Sequence, residues 1–374
     1  MANLYNLTKA GVNSKCWLMN NTNDIFVDPS YNFTVITIFQ NSIARDVKFP
    51  SPYTGQMCFL SDIYSWQVYY NSTWNRINSS LASLTVTGVS YSVIYVDSSN
   101  VVQSPSLPVA GGYTIYKITS GTGTVTPNFT GNVHYLVVGG GGAGSGDNGT
   151  TQGNGGGGAG GFITSFQYSG IPATSGGGGS ITSQLALTIN TSYNVTVGTG
   201  GIGLSSCTYN TPGCTGVSSV LHTVTSLGGG AGGYYTGNPG GPGGSGGGAG
   251  NNGTSGGSGT PNQGYNGAAG NIGTYGGGGG GAGAAASAQN GGIGLQSAIC
   301  GGAATYYAGG GGASGSGGAG SGGQGGGGNG VNNGTSNSGT PNTGGGGGAI
   351  AGSPAGASGS GGSGIVVIRF PTYI

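Results

Sequence analysis

Between Asn148 and Ile368 the chain contains no Lys, Arg, Asp or Glu, and glutamate is missing from all 374 residues. General acid–base catalysis and phosphoryl transfer both need ionisable or cationic groups at the reacting atoms, and that long stretch has almost none of them. A glycosidase carboxylate pair would have to come from Asp24, Asp28, Asp46, Asp62, Asp97 and Asp147, which read instead as turn and surface residues. The seven cations, Lys9, Lys15, Arg45, Lys48, Arg76, Lys117 and Arg369, are scattered, whereas nucleic acid requires them clustered against phosphates. His134 and His222 lie in strand-like stretches and read as packed side chains, so no Ser–His–Asp arrangement is expected. Metal-ligand spacing is absent. Gly-x-Gly-x-x-Gly matches abound, but none precedes Lys-Ser or Lys-Thr, which excludes a phosphate-binding loop. The expectation is a protein that is not an enzyme and carries no cofactor.

Cysteines and long apolar runs are also scarce. Five cysteines, Cys16, Cys58, Cys207, Cys214 and Cys300, are too dispersed for a disulfide framework. Cys207 and Cys214 bracket a Tyr-Asn-Thr-Pro-Gly loop and are spaced to pair; the favoured reading is two reduced thiols in a protein made in a cytoplasm. No apolar run approaches the length of about 18 residues that crosses a bilayer, so no membrane insertion is expected. Met1-Ala2-Asn3-Leu4-Tyr5 has neither a basic nor an apolar leader segment, so no secretory signal is expected. Sequons such as Asn71-Ser72-Thr73 and Asn194-Val195-Thr196 then read as chance products of an Asn/Ser/Thr-rich composition.

What the chain has instead is glycine: 95 residues, about a quarter of the total, against a usual share of roughly 7%. Fixing each backbone unit costs about 1–2 kcal/mol, and glycine loses the most freedom. A systematic interaction must offset that cost if the tracts are ordered. Apolar strand-like pieces interrupt them, which argues for order over a flexible linker.

The composition divides the chain into an N-terminal β region at 1–78, a β linker region at 79–110 and a glycine-rich domain at 111–374. The first holds all three tryptophans; Asn32–Phe39 alternates as a strand, and Gly55–Asp62 with Trp66–Asn71 reads as a hairpin. Tyr91–Val96 continues in β style, turns at Asp97–Asn100 and resumes at Val101-Val102, before a stiff connector at Ser104–Pro108. Tyr113–Ile118, His134–Val138, Tyr193–Val197, Ser219–Val224 and Ile365–Phe370 are the strands expected within the glycine-rich part. An internal echo, Asn251–Asn262 against Asn332–Asn342, places equivalent turns at Gly259–Asn262 and Gly339–Asn342.

Collagen's strict period is absent, and runs such as Gly276–Gly281 and Gly344–Gly348 are continuous glycine. Polyproline-II helices of glycine have no Cβ atoms, so they can lie side by side with every N–H and C=O paired to a neighbour. The expected class is therefore mainly β: small N-terminal β modules, then β-strands with packed polyglycine helices in the polyproline-II form, and almost no α-helix.

Val133–Gly144, Gly155–Ile163, Tyr193–Gly198 and the closing Gly361–Phe370 together resemble the glycine-rich domain of tailed-bacteriophage tail-fibre and adhesin, or receptor-binding, proteins. The resemblance covers residues 111–374. Pro52 through Trp74 is similar to a short module of phage tail and virion proteins. The resemblance implies a virion location after assembly in the host cytoplasm, and attachment to other virion or tail proteins through the N-terminal region. It further implies recognition of a host surface glycan or outer-membrane protein by loops on a polyglycine scaffold. Fibres of this kind are often homotrimers, whereas a capping adhesin is a single copy.

Tyr234, Tyr235, Tyr265, Tyr275, Tyr306 and Tyr307 interrupt the glycine runs among Asn, Thr and Ser. Tyrosine with Ser, Gly and Asn is the composition of antibody recognition loops, so these six are the receptor-binding candidates. The alternative is that they cap the glycine bundle and pack against it. An uncharged Tyr/Asn surface favours a neutral glycan. Two other functions stay open: a head fibre or capsid decoration protein without a receptor, and an ice- or surface-binding protein, against which the irregular threonine spacing counts.

Overall fold

The computed structural model describes residues 4–5, 17–19, 25–26, 37–39, 42–52, 57–60, 65–70 and 73–77 and, from 81 to 372, all residues except 105–107, 110, 147–152, 172–173, 205–213, 236, 252–254, 317 and 353–356. It divides into one unit of residues 1–80 with residue 374, and a second of residues 81–373.

In the first unit, β1 (Leu4–Tyr5), β2 (Trp17–Met19) and β3 (Ile25–Phe26) form a three-stranded sheet. A second sheet joins β4 (Thr37–Phe39), β5 (Met57–Leu60), β6 (Ser65–Tyr70) and β7 (Thr73–Ile77) in that order, β4 and β5 running parallel. The expected hairpin is β5–β6, with Phe59 opposite Trp66. Of the expected strand Asn32–Phe39, residues 32–36 lie outside the described residues. The seven-residue helix α1 (Ser42–Lys48) is the one α-helix among the described residues. Its buried Arg45 donates to Gln67 Oε1 and lies over the Trp74 ring, 4.9 Å from the centroid.

The second unit is built on β8 (Leu84–Val96), β9 (Tyr113–Pro127), β10 (Gly131–Val138), β11 (Phe162–Thr164), β12 (Leu185–Leu187), β13 (Tyr193–Val197), β14 (Ser219–Leu221), β15 (Val224–Ser226), the separate hairpin β16 (Leu295–Ser297) and β17 (Thr305–Tyr307), and β18 (Ile365–Pro371). Nine of them form one antiparallel sheet along β11-β10-β18-β9-β13-β14-β15, with β12 on β10 and β8 on β9. The ends of that path, β11 and β15, approach each other, so the sheet nearly closes into a barrel. Ile365–Phe370 is apolar apart from Arg369 and buried throughout, as expected of a strand covered on both faces. Although last in sequence, it is the inner strand between β10 and β9.

Two side-chain cores flank this sheet. On one face Val96, Ile115, Leu136, Phe162, Ile299, Tyr307, Ile365 and Val367 pack together. Elsewhere Phe370 lies 4.8 Å from Phe129 and 5.8 Å from Tyr116, ring centroid to centroid.

The expected strand Tyr91–Val96 lies within β8, which pairs with β9 along its length. One expectation changes here. Ser219–Val224, read as one strand, is a hairpin: His222 has φ 52° and the chain reverses between β14 and β15. Histidine tolerates the left-handed region better than most residues, which permits the tight turn.

The glycine tracts begin where the strands stop. Residues 139–145 leave the end of β10, and residues 155–161 lead into β11. Successive amides of the first segment point at three different neighbours and return to the same one every third residue. Gly139, Gly142 and Ser145 donate to Gly161, Gly158 and Gly155; Gly140 and Ala143 to Val217 and Cys214; Gly141 and Gly144 to Gly362 and Gly359, all at 2.8–3.1 Å. The carbonyls do the same on the other side: Gly140 and Ala143 accept from Gly229 and Gly232, Gly142 and Ser145 from Gly347 and Ile350, and Gly141 from Gly201. A period of three is that of a polyproline-II helix. Three donor and three acceptor neighbours surround one segment, which is hexagonal packing.

Residues 155–161 are surrounded in the same way. Their amides reach 227–233, 277–280 and 344–347, and their carbonyls accept from 139–145, 245–248 and Gly311. Both inner segments are wholly buried, and every amide and most carbonyls in them are bonded to a neighbouring segment, as burial demands. A Cβ on Gly141 would land on the Gly345 carbonyl, and one on Gly157 on the Gly142 carbonyl. The spacing of the lattice therefore requires glycine, with alanine admitted at buried gaps such as Ala143, Ala231 and Ala313.

The two echoed turns are equivalent. Asn262 has φ 61° and Asn342 φ 60°, each after a Pro at the head of a turn.

Candidate functional site

Each glycine segment runs from the sheet to a distal end, where the chain must turn and side chains reappear. Residues 146, 153–154, 234–235, 237–238, 250–251, 271–275, 314–316, 331–335 and 351–352 lie at or next to those turns. Asn154 holds them together. It is 0% exposed; its side-chain oxygen accepts from the Tyr235 amide at 3.0 Å and its side-chain nitrogen donates to the Ile350 carbonyl at 2.7 Å. Its own amide donates to Ser314 Oγ at 3.2 Å, and its carbonyl accepts from the Ser314 amide at 3.1 Å. One buried asparagine thus fixes three separate turns.

Tyr235 and Tyr234 are half-buried, with ring centroids 6.3 Å apart at 79°, an edge-to-face pair. Tyr275, also half-buried, bridges Asn271 within its own loop and Gly315 in the next. Gly276 donates to the Ser314 carbonyl at 3.0 Å, and Ser314 touches Asn154, so Tyr275 belongs to the same end of the bundle as Tyr234 and Tyr235. Beside it Ile272 is 72% exposed. Further along, Asn332 Oδ1 accepts from the Gly315 amide at 3.0 Å, and Ser316 donates to the Thr274 carbonyl. The described residues of this end carry Tyr, Asn, Ser, Thr and Ile, and no charged group.

The other three tyrosines lie elsewhere. Tyr265 follows the turn at Asn262–Gln263, near the sheet, where Gln263 accepts from Phe162 through its carbonyl. Tyr306 and Tyr307 sit on β17, at the sheet end of the bundle. Tyr307 is 4% exposed, packed in the core with Ile115 and Ile299, and its hydroxyl lies 3.9 Å from Cys300 Sγ. Burial drives its hydroxyl pKa far above the ordinary tyrosine value. It is a core residue and offers no surface for a ligand.

Cys214 is buried between Ala143 and Ala231 and is disulfide-bonded, in contrast to the expected free thiol. Cys207, the cysteine that the sequence spaces to pair with it, lies outside the described residues.

Arg369 is a buried cation that the sequence did not mark out. At 4% exposure it donates to Asn100 Oδ1 at 2.5 Å and the Ile299 carbonyl at 3.3 Å, and stacks 4.3 Å from Tyr113 and 4.8 Å from Phe166. Burial lowers its pKa. It ties β18 to the Asp97–Asn100 turn and to the loop between β16 and β17. His134, opposite it in register, donates from Nδ1 to the Ser165 carbonyl at 2.9 Å and accepts at Nε2 from Gln184 at 2.7 Å. That places both imidazole nitrogens in structural bonds. His222 packs edge-on against Tyr193, 5.0 Å between centroids.

The profile of a family described as a glycine-rich domain matches residues 118–371, well over half of the chain. No curated protein matches it.

Proposed function

The chain belongs to the glycine-rich domain family, and from that premise we propose that it is a bacteriophage virion component, a tail fibre or spike, that recognises the host cell surface with loops held on its polyglycine scaffold. The observation that carries this reading is the distal end. Tyr234, Tyr235 and Tyr275 stand there on a close-packed lattice, the turn of Tyr235 held from behind by Asn154 and that of Tyr275 joined to it through Ser314. Tyrosine gives large contact area for little conformational entropy, and pre-organised loops lose less on binding. The sequence likeness to phage adhesins supports the same assignment. On this reading the N-terminal region, residues 1–78, attaches the protein to other virion or tail proteins, and the protein performs no reaction.

The test is Tyr234→Ser with Tyr235→Ser in the intact particle. The expected result is particles of normal composition whose adsorption is lost. Adsorption at the unaltered rate would leave the competing reading, a head fibre or capsid decoration protein, in its place. Localising the chain at the tail tip or on the capsid by electron microscopy separates the two directly.

A further inference from the structure

We infer that the distal end binds an uncharged polysaccharide; this rests on the adhesin reading and names its ligand class. A ligand with phosphate, carboxylate or ammonium groups must have its charge met or left in water, because burying an unpaired charge is costly. None of the residues placed at this end is Lys, Arg, Asp or Glu, so the described residues of this end can meet neither sign; Asp147, next to Gly146 in sequence, lies outside the described residues, and no cation occurs from Asn148 to Ile368. That argues against anionic glycans and lipid phosphates. It also argues against a folded protein, whose surface is roughly a quarter to a third charged. Pressing such a surface on this end would strip water from charges without replacing it.

A neutral glycan presents only hydroxyls, ether oxygens and C–H faces. Those are the groups this end can match. Half-buried rings of Tyr234, Tyr235 and Tyr275 offer flat apolar faces with a hydroxyl at the rim, and Asn271, Asn332, Thr274 and Ser316 supply donors and acceptors around them. The turns that carry these groups are already bonded to one another through Asn154 and Ser314, so a weakly attractive ligand loses little to ordering the site.

The experiment uses the full chain on an array of immobilised oligosaccharides divided into neutral glucans, galactans and mannans and acidic sialylated, uronate and phosphorylated members. Binding is expected on neutral members alone, and unchanged as salt rises from about 0.05 to 0.5 M, since no charge is involved. Tyr234→Ser with Tyr235→Ser should weaken it by about tenfold or more. Binding confined to acidic members, or lost with salt, overturns the inference for the unmodified chain, whether or not the variant folds. Adsorption assays on the host separate this inference from the reading beneath it. Free chain that blocks particle adsorption, with adsorption abolished by protease but not by periodate oxidation of the cells, leaves the adhesin reading intact and removes the glycan. Free chain that binds no cell and blocks no adsorption removes both.

Discussion

The sheet and the glycine lattice of the second unit solve one problem by opposite means. In the sheet, each strand pairs its backbone with at most a few neighbours in one surface, and large side chains such as Phe162, Ile365 and Phe370 fill the space above and below. In the lattice, residues 139–145 and 155–161 pair with neighbours in all directions around the chain, and there is no space left for side chains. Hydrophobic burial holds the first together, with backbone bonds as a condition. Backbone bonds hold the second, and glycine is the condition. The contrast explains why charge disappears from the sequence where the lattice begins: a charged side chain on an inner segment would have to displace a hydrogen-bonded neighbour.

Substitutions should separate the two regions. Gly157 donates to the Gly347 carbonyl and accepts from the Gly311 amide, and an added Cβ would meet the Gly142 carbonyl. Gly157→Val therefore pushes apart segments that share several bonds, and a loss beyond about 4–5 kcal/mol is expected, enough to prevent folding. Phe370→Ala in the sheet should cost about 3–5 kcal/mol, the usual penalty for emptying an aromatic site, and leave a folded protein with a lower denaturation midpoint. Denaturant titration of both variants decides. A folded Gly157→Val protein with a normal midpoint would show that the lattice yields where the hydrogen-bond pattern says it cannot.

How much of this was legible in the sequence follows the same division. The strands at Tyr113–Ile118, Tyr193–Val197 and Ile365–Phe370 announce themselves by alternation or by continuous apolar residues, because side chains make the strand. The glycine tracts announce only their conformation. Which segment lies beside which is invisible, since one glycine is like another and no side chain encodes a partner; register comes from the turns and from the strands that launch each segment. The same reasoning explains Asn154. It stands among glycines as one more loop asparagine, and only the packing reveals that it is buried and bonded to three turns. Tyr306-Tyr307 carried a recognition signal by composition, yet the alternation of β17 sends Tyr307 into the core.

The repeated turns offer a smaller test inside the lattice. Asn262 and Asn342 adopt nearly the same left-handed φ, a conformation that costs other residues roughly 1–2 kcal/mol. Replacing Asn262 by alanine should cost about 1 kcal/mol and by glycine close to nothing. Asn342→Ala and Asn342→Gly should each cost more than their Asn262 counterparts by about 1 kcal/mol, because Asn342 Oδ1 also accepts from Ser363 Oγ at 3.2 Å. A larger cost at Asn262 than at Asn342 would mean that the echo in sequence is not an echo in energy.

The smallest effect is one of pH, and it too divides the regions. His134 sits on the sheet, held in its neutral form: burial lowers its pKa first, and the charge of Arg369 adds to that, against an opposing contribution from the Ser165 carbonyl. Its folded pKa therefore lies below the ordinary value of about 6.5. Between the two values the unfolded chain holds the extra proton, so folding stability is fully present above the ordinary value and falls as pH drops through the folded one. The lattice has no histidine, carboxylate or lysine to respond in that range. Wild-type protein should thus lose a little stability between pH 7.5 and pH 5, under about 1 kcal/mol once solvent screening is allowed for. His134→Gln should flatten that loss because glutamine cannot take up the proton, whereas Asn342→Ala should shift the whole curve downward without changing its slope. An equal pH slope in the His134→Gln variant would place the titrating group outside the sheet and undo this part of the comparison.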